Sequence, residues 1–176
     1  ALSRRAGLRP AYTIDKSRLD PNNSNQYDGL KWTVLVVPGS NGFRLPYEAE
    51  WEYAARGGAT TPYYWGERLD GNYCWYGENS GYTSHPVGEK RSNAFGLYDM
   101  IGNVWEWCMD WYGSSYYGNS PEVNPRGPSS GQYRVLRGGS WGDVDCLVRS
   151  ANRADNYSDF RSVDGGFRVV LSAVSE

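Results

Sequence analysis

Three short framework blocks near the C-terminal end of the chain alternate with two stretches of a different character. The blocks are Arg134–Trp141, Arg149–Arg153 and Gly166–Val170, and the stretches are Gly142–Val148 and Ala154–Gly165. The β-branched residues, the Gly-Gly pair and the arginines of the blocks are typical of strands and turns that hold loops in place. The stretches show no periodicity, so we predict a surface whose residues the fold does not dictate. Loops on a rigid scaffold are where binding usually occurs.

Length and composition favour one globular domain over residues 1–176, which we expect to be a monomer. With 176 residues and 15% aromatic residues, the chain can bury a substantial core. The net charge of −2 gives no electrostatic reason to expect a nucleic acid or an anionic membrane as partner. No apolar stretch reaches the length of about 20 residues that a membrane-spanning helix needs.

Local patterns predict a strand, a long loop and unpaired cysteines. Trp32–Val37 is a β-branched run that ends at Pro38, which indicates a strand followed by a turn. Gly113–Gly131 is rich in Gly, Ser, Tyr, Asn and Pro, and it indicates a long ordered loop. Three cysteines are an odd number without a C-x-x-C pair, so we predict that all are free, although one bridge stays open. Two are expected to be buried like small hydrophobic residues, whereas Cys146 lies in an irregular stretch and is expected to be exposed.

The segment Tyr47–Arg56 is the clearest helix in the sequence. Its apolar residues at helical spacing are Tyr47, Trp51, Ala54 and Ala55, and Gly57 marks its end. Three glutamates in its first turns suit the helix dipole. They are Glu48, Glu50 and Glu52. We interpret them as a solvated helix face rather than as catalytic carboxylates.

Four motifs in order along the chain resemble the formylglycine-generating-enzyme, or sulfatase-modifying-factor, domain family. They are Phe43–Gly58, Phe95–Trp107, Arg137–Trp141 and Gly166–Arg168. The resemblance implies an α+β, C-type-lectin-like fold that is rich in loops, with short helices and small antiparallel sheets. The segment Ala1–Ile14 resembles the middle of that domain, so we expect its N-terminal part to be missing from this sequence. A fold of this kind does not by itself fix a function.

The family's oxidase activity depends on a pair of cysteines that binds copper(I), because soft thiolate ligands select that ion. The matching positions here are Asp143 and Val148, and Cys146 between them has no partner at the right spacing. Iron-dependent relatives that form sulfoxides need a histidine cluster, whereas this chain has the single histidine His85, which we expect to be a loop residue fixed by Pro86. We therefore predict that the chain is not an enzyme and has no catalytic cofactor.

The resemblance also implies a structural calcium site. Its ligands would be the Asp99 side chain, the backbone carbonyls of Gly102 and Val104, and the Glu106 carboxylate. Calcium favours such a mixture of carboxylate and carbonyl oxygens. The alternative is that Asp99 and Glu106 accept hydrogen bonds from loop amides, and the residues alone leave both interpretations open.

Within this family, the alternation of blocks and stretches resembles the variable proteins of diversity-generating retroelements, those of spirochaetes most of all. Such systems mutate adenines in a template and display the altered residues on a lectin-like surface. From Gly142 through Gly165 the sequence has no Lys, Glu, Gln, Met or Trp. These five cannot be reached from an Asn codon ending in C or T by changing adenines alone, whereas nearly all of the residues present can. The pattern favours a diversified ligand-binding region within residues 134–170.

We predict that ligand contacts come from fourteen residues of this region. They are Asp143, Val144, Asp145, Cys146, Leu147, Asn152, Ala154, Asp155, Asn156, Tyr157, Phe160, Ser162, Val163 and Asp164. Exposed apolar residues rimmed by aspartates are typical of an interface. Five framework arginines are expected to hold the loops through carboxylates and carbonyls. They are Arg137, Arg149, Arg153, Arg161 and Arg168. Trp105 and Phe167 are expected to fill the core.

The resemblance therefore implies a non-catalytic receptor or adhesin-like protein that binds a protein or a glycan at the cell surface or elsewhere outside the cytoplasm. A divergent family member with an enzymatic or accessory role is the alternative. A calcium-dependent sugar site is a third hypothesis, although the lectin motifs that chelate sugar hydroxyls are not evident.

Overall fold

The computed structural model describes residues 1–171. Within them, short helices and strands are joined by long ordered loops, which confirms the expected loop-rich α+β organisation. The helices are α1 (Leu2–Arg5) and α2 (Glu48–Arg56). The strands are β1 (Tyr12–Leu19), β2 (Trp32–Val36), β3 (Phe43–Arg44), β4 (Trp105–Trp111), β5 (Tyr133–Arg137), β6 (Arg153–Tyr157), β7 (Gly165–Gly166) and β8 (Val170–Leu171). None of the helices in this part of the chain has the length and apolar character that crossing a membrane requires.

A four-stranded sheet in the order β6-β5-β4-β7 forms the centre of the molecule. β5 runs antiparallel to both β4 and β6, whereas the short β7 runs parallel to β4. One face of this sheet packs against α2, because Trp51 of the helix packs in one cluster with Cys108 of β4 and Val135 of β5. Two antiparallel pairs, β1 with β2 and β3 with β8, lie outside the central sheet.

The helix α2 begins one residue later than predicted and ends where predicted. Trp51 and Ala55, one turn apart, are buried, as expected of the apolar face. The backbone N–H of Tyr47 donates to the Glu50 carboxylate at 2.8 Å, which satisfies one free amide at the start of the helix. Gly57 ends the helix in the left-handed conformation, with φ of 54°, and its N–H donates to the Tyr53 carbonyl.

Two clusters of buried side chains lie next to each other in the core. The first contains Trp51, Ala55, Met100, Cys108 and Val135. The second contains Tyr63, Cys74, Ile101 and Val148. The cysteine prediction is confirmed, since Cys74 and Cys108 are buried, Cys146 is exposed and all three are free.

The interpretation of the helix glutamates as a solvated face is wrong for Glu48. This side chain is 1% exposed and binds two arginines of the central sheet. Its carboxylate lies 3.4 Å from the guanidinium of Arg137 and accepts hydrogen bonds of 2.6 Å and 2.9 Å from Arg153. Glu52, one turn further along the helix, also pairs with Arg137. The buried face of α2 is therefore partly ionic, which an apolar periodicity does not reveal.

The second irregular stretch is not wholly a loop, because its first four residues belong to β6. This strand pairs with β5 in continuous antiparallel register from Tyr133–Tyr157 to Arg137–Arg153. The polar residues Asp155 and Asn156 have low strand propensity. The edge of β5 offers backbone partners to this segment, and that pairing overrides the local preference.

Asp110 is a buried carboxylate at the start of α2. It is 2% exposed, and its Oδ2 accepts the Glu48 N–H at 2.7 Å, so it caps the helix from a distant strand. Its Oδ1 has no hydrogen-bond partner within residues 1–171. Burial raises the pKa of Asp110 to about 6, and the negative charge of Glu48 adds to the effect.

Because this pKa is higher in the folded chain than in the unfolded chain, ionisation of Asp110 destabilises the fold. The destabilisation is complete above pH 6 and disappears as the pH falls from about 6 towards 3.8, the ordinary pKa of an aspartate. Asp110→Asn lacks this ionisation. Its free energy of unfolding, relative to that of the natural chain, should therefore increase by about 1–2 kcal/mol when the pH is raised from 5 to 8. Urea unfolding of both proteins at each pH measures this difference, and an equal difference at both pH values would contradict it.

Candidate ligand-binding site

A groove of about 450 Å³ lies on the face of the central sheet that points away from α2. Trp105 and Trp107 of β4 and Leu136 of β5 line it. These side chains share one face because alternate residues of a strand point the same way and because Trp107 is paired with Leu136. The residues between them face the helix: Glu106 binds Trp51 and Arg137 binds Glu52.

The second stretch supplies much of the remaining lining of this groove. Four of the fourteen predicted ligand contacts meet there, namely Asn156, Phe160, Ser162 and Asp164. Arg161, Gly165, Gly166 and Phe167 complete the lining. Ser162 donates to the Asp164 carboxylate, and the Trp105 N–H donates to the Asp164 carbonyl at 2.8 Å. The returning loop is thus tied to β4 beside the groove.

The other predicted contacts of the second stretch do not line the groove. Ala154 pairs with Leu136 and therefore shares the face of the groove. Asp155 and Tyr157 alternate with these residues and point to the opposite face. The Tyr157 ring lies 4.8 Å from that of Tyr133. Val163 is strongly exposed at 84% but does not line the groove.

Apart from the buried Val148, the first stretch forms a separate and largely exposed segment. It contains a single turn of 3-10 helix, Asp145–Leu147. The Asp143 carboxylate accepts two hydrogen bonds of 2.8 Å from Ser140, and the Asp143 carbonyl accepts the Gly77 N–H at 2.9 Å. None of the fourteen predicted contacts is buried. Those of the first stretch do not line the groove, and this segment is held by the Gly77 N–H and by the Tyr63 hydroxyl, which donates to the Asp145 carbonyl at 3.2 Å.

The prediction for the framework arginines is confirmed for four of the five. Arg137 donates to the carbonyls of residues 150–152, and Arg149 donates to the Cys146 carbonyl. Arg153 binds Glu48, and Arg168 binds Glu106. Arg161 differs, because within residues 1–171 its guanidinium has no hydrogen bond or ion pair. It faces the groove.

The prediction that Trp105 and Phe167 fill the core is wrong. Phe167 is 68% exposed, Trp105 is partly exposed, and both line the groove. Together with Trp107, they are groove residues that the sequence reasoning missed. The Trp-Glu-Trp alternation at 105–107 was the available signal, because in a strand it places both indoles on one face and the carboxylate on the other.

The two side chains among the implied calcium ligands, Asp99 and Glu106, each have partners within the protein. Both oxygens of Glu106 accept hydrogen bonds from Arg168, at 2.6 Å and 2.7 Å, and Trp51 donates to the same carboxylate. A guanidinium thus takes the place of a cation, and Glu106 does not fit as a calcium ligand. Asp99 accepts the Gly88 N–H at 2.7 Å, which is the loop-amide alternative, and its Oδ1 has no partner within residues 1–171. Calcium binding by Asp99 with the Gly102 and Val104 carbonyls stays a prediction.

The positions that correspond to the copper-binding cysteines are differently used here. Val148 is fully buried in the second core cluster, and Asp143 is engaged with Ser140. His85 lies in a loop, where its ring stacks on Trp75 with the centroids 3.7 Å apart. Its backbone N–H donates to the Asn103 side-chain oxygen. Within residues 1–171 no three His, Cys, Asp or Glu side chains lie close enough together to hold a metal ion.

Comparison with known proteins relates this geometry to a family. The Sulfatase-modifying factor enzyme 1-like domain matches residues 9–173. The chain is 38% identical to the chaperone protein LppX of Paenibacillus barcinonensis, over 98% of this chain and 64% of that protein. It is 46% identical to the formylglycine-generating enzyme of Streptomyces coelicolor, over 75% of this chain and 48% of the enzyme. The chain therefore spans less than two thirds of the length of these relatives.

Solved structures agree with the sequence comparison. Treponema denticola variable protein 1 superposes with a TM-score of 0.81 and 38% identity, over 96% of this chain and 64% of that one. PvdO from Pseudomonas aeruginosa gives a TM-score of 0.65 and 34% identity, over 73% of this chain and 52% of that one. The C-type-lectin-like fold and the resemblance to a spirochaetal variable protein are confirmed. The chain belongs to the sulfatase-modifying factor enzyme 1-like domain family.

Proposed function

We propose that this chain is a non-catalytic receptor of the variable-protein type, and that its ligand binds at the groove over β4 and β5. The observation that carries the proposal is the composition of this groove. Its floor comes from the framework, through Trp105 and Trp107, whereas much of its rim comes from the second stretch. A rim of at least partly exposed side chains can change without disturbing the core.

The groove also presents unused binding groups. Within residues 1–171 the indole N–H groups of Trp105 and Trp107 and the guanidinium of Arg161 donate no hydrogen bond. Phe160 and Phe167 are 46% and 68% exposed. Aromatic residues and arginine are enriched at the centres of protein interfaces. We therefore favour a protein ligand over a glycan.

A matched pair of variants tests this function. In the groove variant, Asn156, Phe160, Ser162 and Asp164 are all replaced by Ala. In the control variant, four exposed residues that do not line the groove are replaced by Ala: Lys16, Glu78, Glu89 and Glu122. Both should melt close to the natural chain, because exposed substitutions usually change stability by no more than about 0.5 kcal/mol each.

The natural chain, the groove variant and the control variant are compared on arrays of purified proteins and of glycans from the environment in which the source organism lives. We expect a ligand whose affinity falls more than about tenfold in the groove variant and is kept in the control, since interface hot spots are worth about 2 kcal/mol or more. A ligand that binds all three proteins equally would contradict the proposed site. A reverse transcriptase gene with a nearby copy of the coding segment for residues 134–170, differing at adenines, would support the diversification independently.

An enzymatic or accessory role is the second candidate, favoured by the 46% identity to a formylglycine-generating enzyme. We expect no copper-dependent oxidation of a sulfatase-type cysteine peptide, because Asp143 and Val148 supply no thiolate pair. Oxygen consumption with copper and a thiol reductant measures this, with a formylglycine-generating enzyme as the positive control. Turnover above that of the peptide alone would contradict the non-catalytic proposal.

We further propose a location at the cell surface or elsewhere outside the cytoplasm, as the family resemblance implies. Labelling of intact cells with a membrane-impermeant amine reagent tests this location. Labelling only after lysis would contradict it.

A further inference from the structure

A second and larger cleft, of about 810 Å³, lies between the end of β2 and the first turns of α2. Residues 36–40 form one wall, α2 with Tyr47 forms another, and residues 124–126 of the long loop form the third. The volume is within the range of small-molecule sites, about 300–1,000 Å³. No residue of this cleft lines the groove over β4 and β5, so the two sites are independent.

Two guanidinium groups flank the ring of Tyr47 in this cleft. The Arg44 and Arg126 Cζ atoms lie 5.2 Å and 5.1 Å from the ring centroid, within the distance of a cation–π contact. Arg44 is already engaged, because it donates two hydrogen bonds of 2.6 Å and 2.7 Å to the Glu50 carboxylate. Glu50 in turn accepts a hydrogen bond from the Tyr47 N–H. Its carboxylate is therefore hydrogen-bonded both to Arg44 and to the backbone at the start of α2.

Arg126 is not neutralised in this way. Within residues 1–171 its guanidinium makes no hydrogen bond or ion pair, and its contact is with the face of Tyr47. The backbone around it is closely held. Arg126 N–H donates to the Tyr116 hydroxyl at 3.3 Å, and Gly127 has φ of 74° and lies so close to Asp110 that an added Cβ would come within 2.8 Å of it. The cation is therefore presented from a fixed loop.

The rest of the cleft wall carries apolar side chains beside polar ones, which include Ser40 and Asn124. Val36, Val37, Pro38 and Pro125 line it, and Tyr53, at 70% exposure, borders it from the helix. The cleft thus combines a cation that makes no hydrogen bond within residues 1–171, an aromatic face and an apolar part of the wall. A ligand that complements it carries one negative charge on an apolar body.

We infer that this cleft binds a small organic carboxylate, with the carboxylate paired to Arg126 and the apolar part against Tyr47, Tyr53 and Pro125. The planar guanidinium matches a carboxylate through two parallel hydrogen bonds. The neighbouring Glu50 attracts Arg126 through space, since the Arg126 charge helps to lower the pKa of Glu50, but its arginine hydrogen bonds come from Arg44. Inorganic phosphate would reach the cation but gain nothing from the apolar walls.

Isothermal titration of the chain with two probes tests this site. N-Acetyl-L-phenylalanine carries the carboxylate, and N-acetyl-L-phenylalaninamide has the same apolar body without the charge. The acid should bind about tenfold more tightly than the amide, as expected for charge-assisted hydrogen bonds. Arg126→Gln should weaken the acid by a similar factor and leave the amide unchanged, and it should fold normally because Arg126 is exposed.

Arg91→Gln is the matched control, because Arg91 is also exposed and also lies over a tyrosine, 5.7 Å from the Tyr73 ring centroid. It should bind the acid like the natural chain. Four results would overturn the site: no binding of the acid up to about 20 mM, equal binding of acid and amide, no effect of Arg126→Gln, or an equal loss in Arg91→Gln. Displacement of the acid by an equal concentration of inorganic phosphate would overturn the role of the apolar walls.

Discussion

Replacing Glu48 by alanine is expected to lower the free energy of unfolding by about 3–5 kcal/mol, the range for breaking a buried ion pair from one side. Glu48 is 1% exposed and its partner Arg137 is fully buried. Without Glu48, Arg137 keeps its ion pair with Glu52 but loses the one with Glu48. Arg153 loses the only carboxylate with which it forms an ion pair within residues 1–171. Arg137, whose side chain is fully buried, cannot reach water without opening the contact between α2 and the central sheet.

Glu50 provides the control for this variant, because it lies on the same helix and also binds an arginine but is exposed. Glu50→Ala should lower stability by no more than about 2 kcal/mol, since it removes a surface ion pair and the hydrogen bond to the Tyr47 N–H at the start of α2. Urea unfolding of both variants measures the difference. If Glu48→Ala is no less stable than Glu50→Ala, the buried network does not support the fold.

Trp51→Ala is expected to lower the free energy of unfolding by about 3–5 kcal/mol, because it removes a large side chain from the centre of the core. Trp51 is 1% exposed and packs with Met100 and Val135. Its indole N–H donates to Glu106 at 2.6 Å. A Cβ added at Gly138 would lie 3.2 Å from the Trp51 ring, so the backbone directly after β5 is already in close contact with the indole.

The contrasting variant is Phe167→Ala, which the sequence alone predicts to be equally damaging. Because Phe167 is 68% exposed, we expect a change within about 0.5 kcal/mol and a loss of ligand binding at the groove instead. Thermal or urea unfolding compares the two variants directly. An equal loss of stability in both would show that Phe167 belongs to the core after all.

The features that were predictable from the sequence depend on neighbouring residues or on motifs. The helix over residues 47–56 was recognisable because Trp51 and Ala55 are one turn apart and Gly57 follows. The positions 143 and 148 carry no thiol, which is a property of the sequence itself. Family motifs spread along the chain indicated the fold, although no single stretch of regular structure would have done so.

The candidate site was predictable only in part. The exposed character of the second stretch was recognisable from its composition, and Asn156, Phe160, Ser162 and Asp164 do meet in the groove. Their neighbours Asp155 and Tyr157 point to the other side, because β6 pairs with β5 in a register that the polar sequence of β6 does not reveal. A shift of one residue in that register would exchange the two sets.

The sequence by itself determined the family, the main helix and the region in which variable surface residues lie, because these depend on local periodicity, turn residues and motif order. The tertiary structure decided which residues of that region share a groove, and it buried Glu48 while exposing Phe167. The physical reason is the distance along the chain between the groups involved. Arg153 and Glu48 are 105 residues apart in sequence, and only the packing of α2 on the sheet makes their burial favourable.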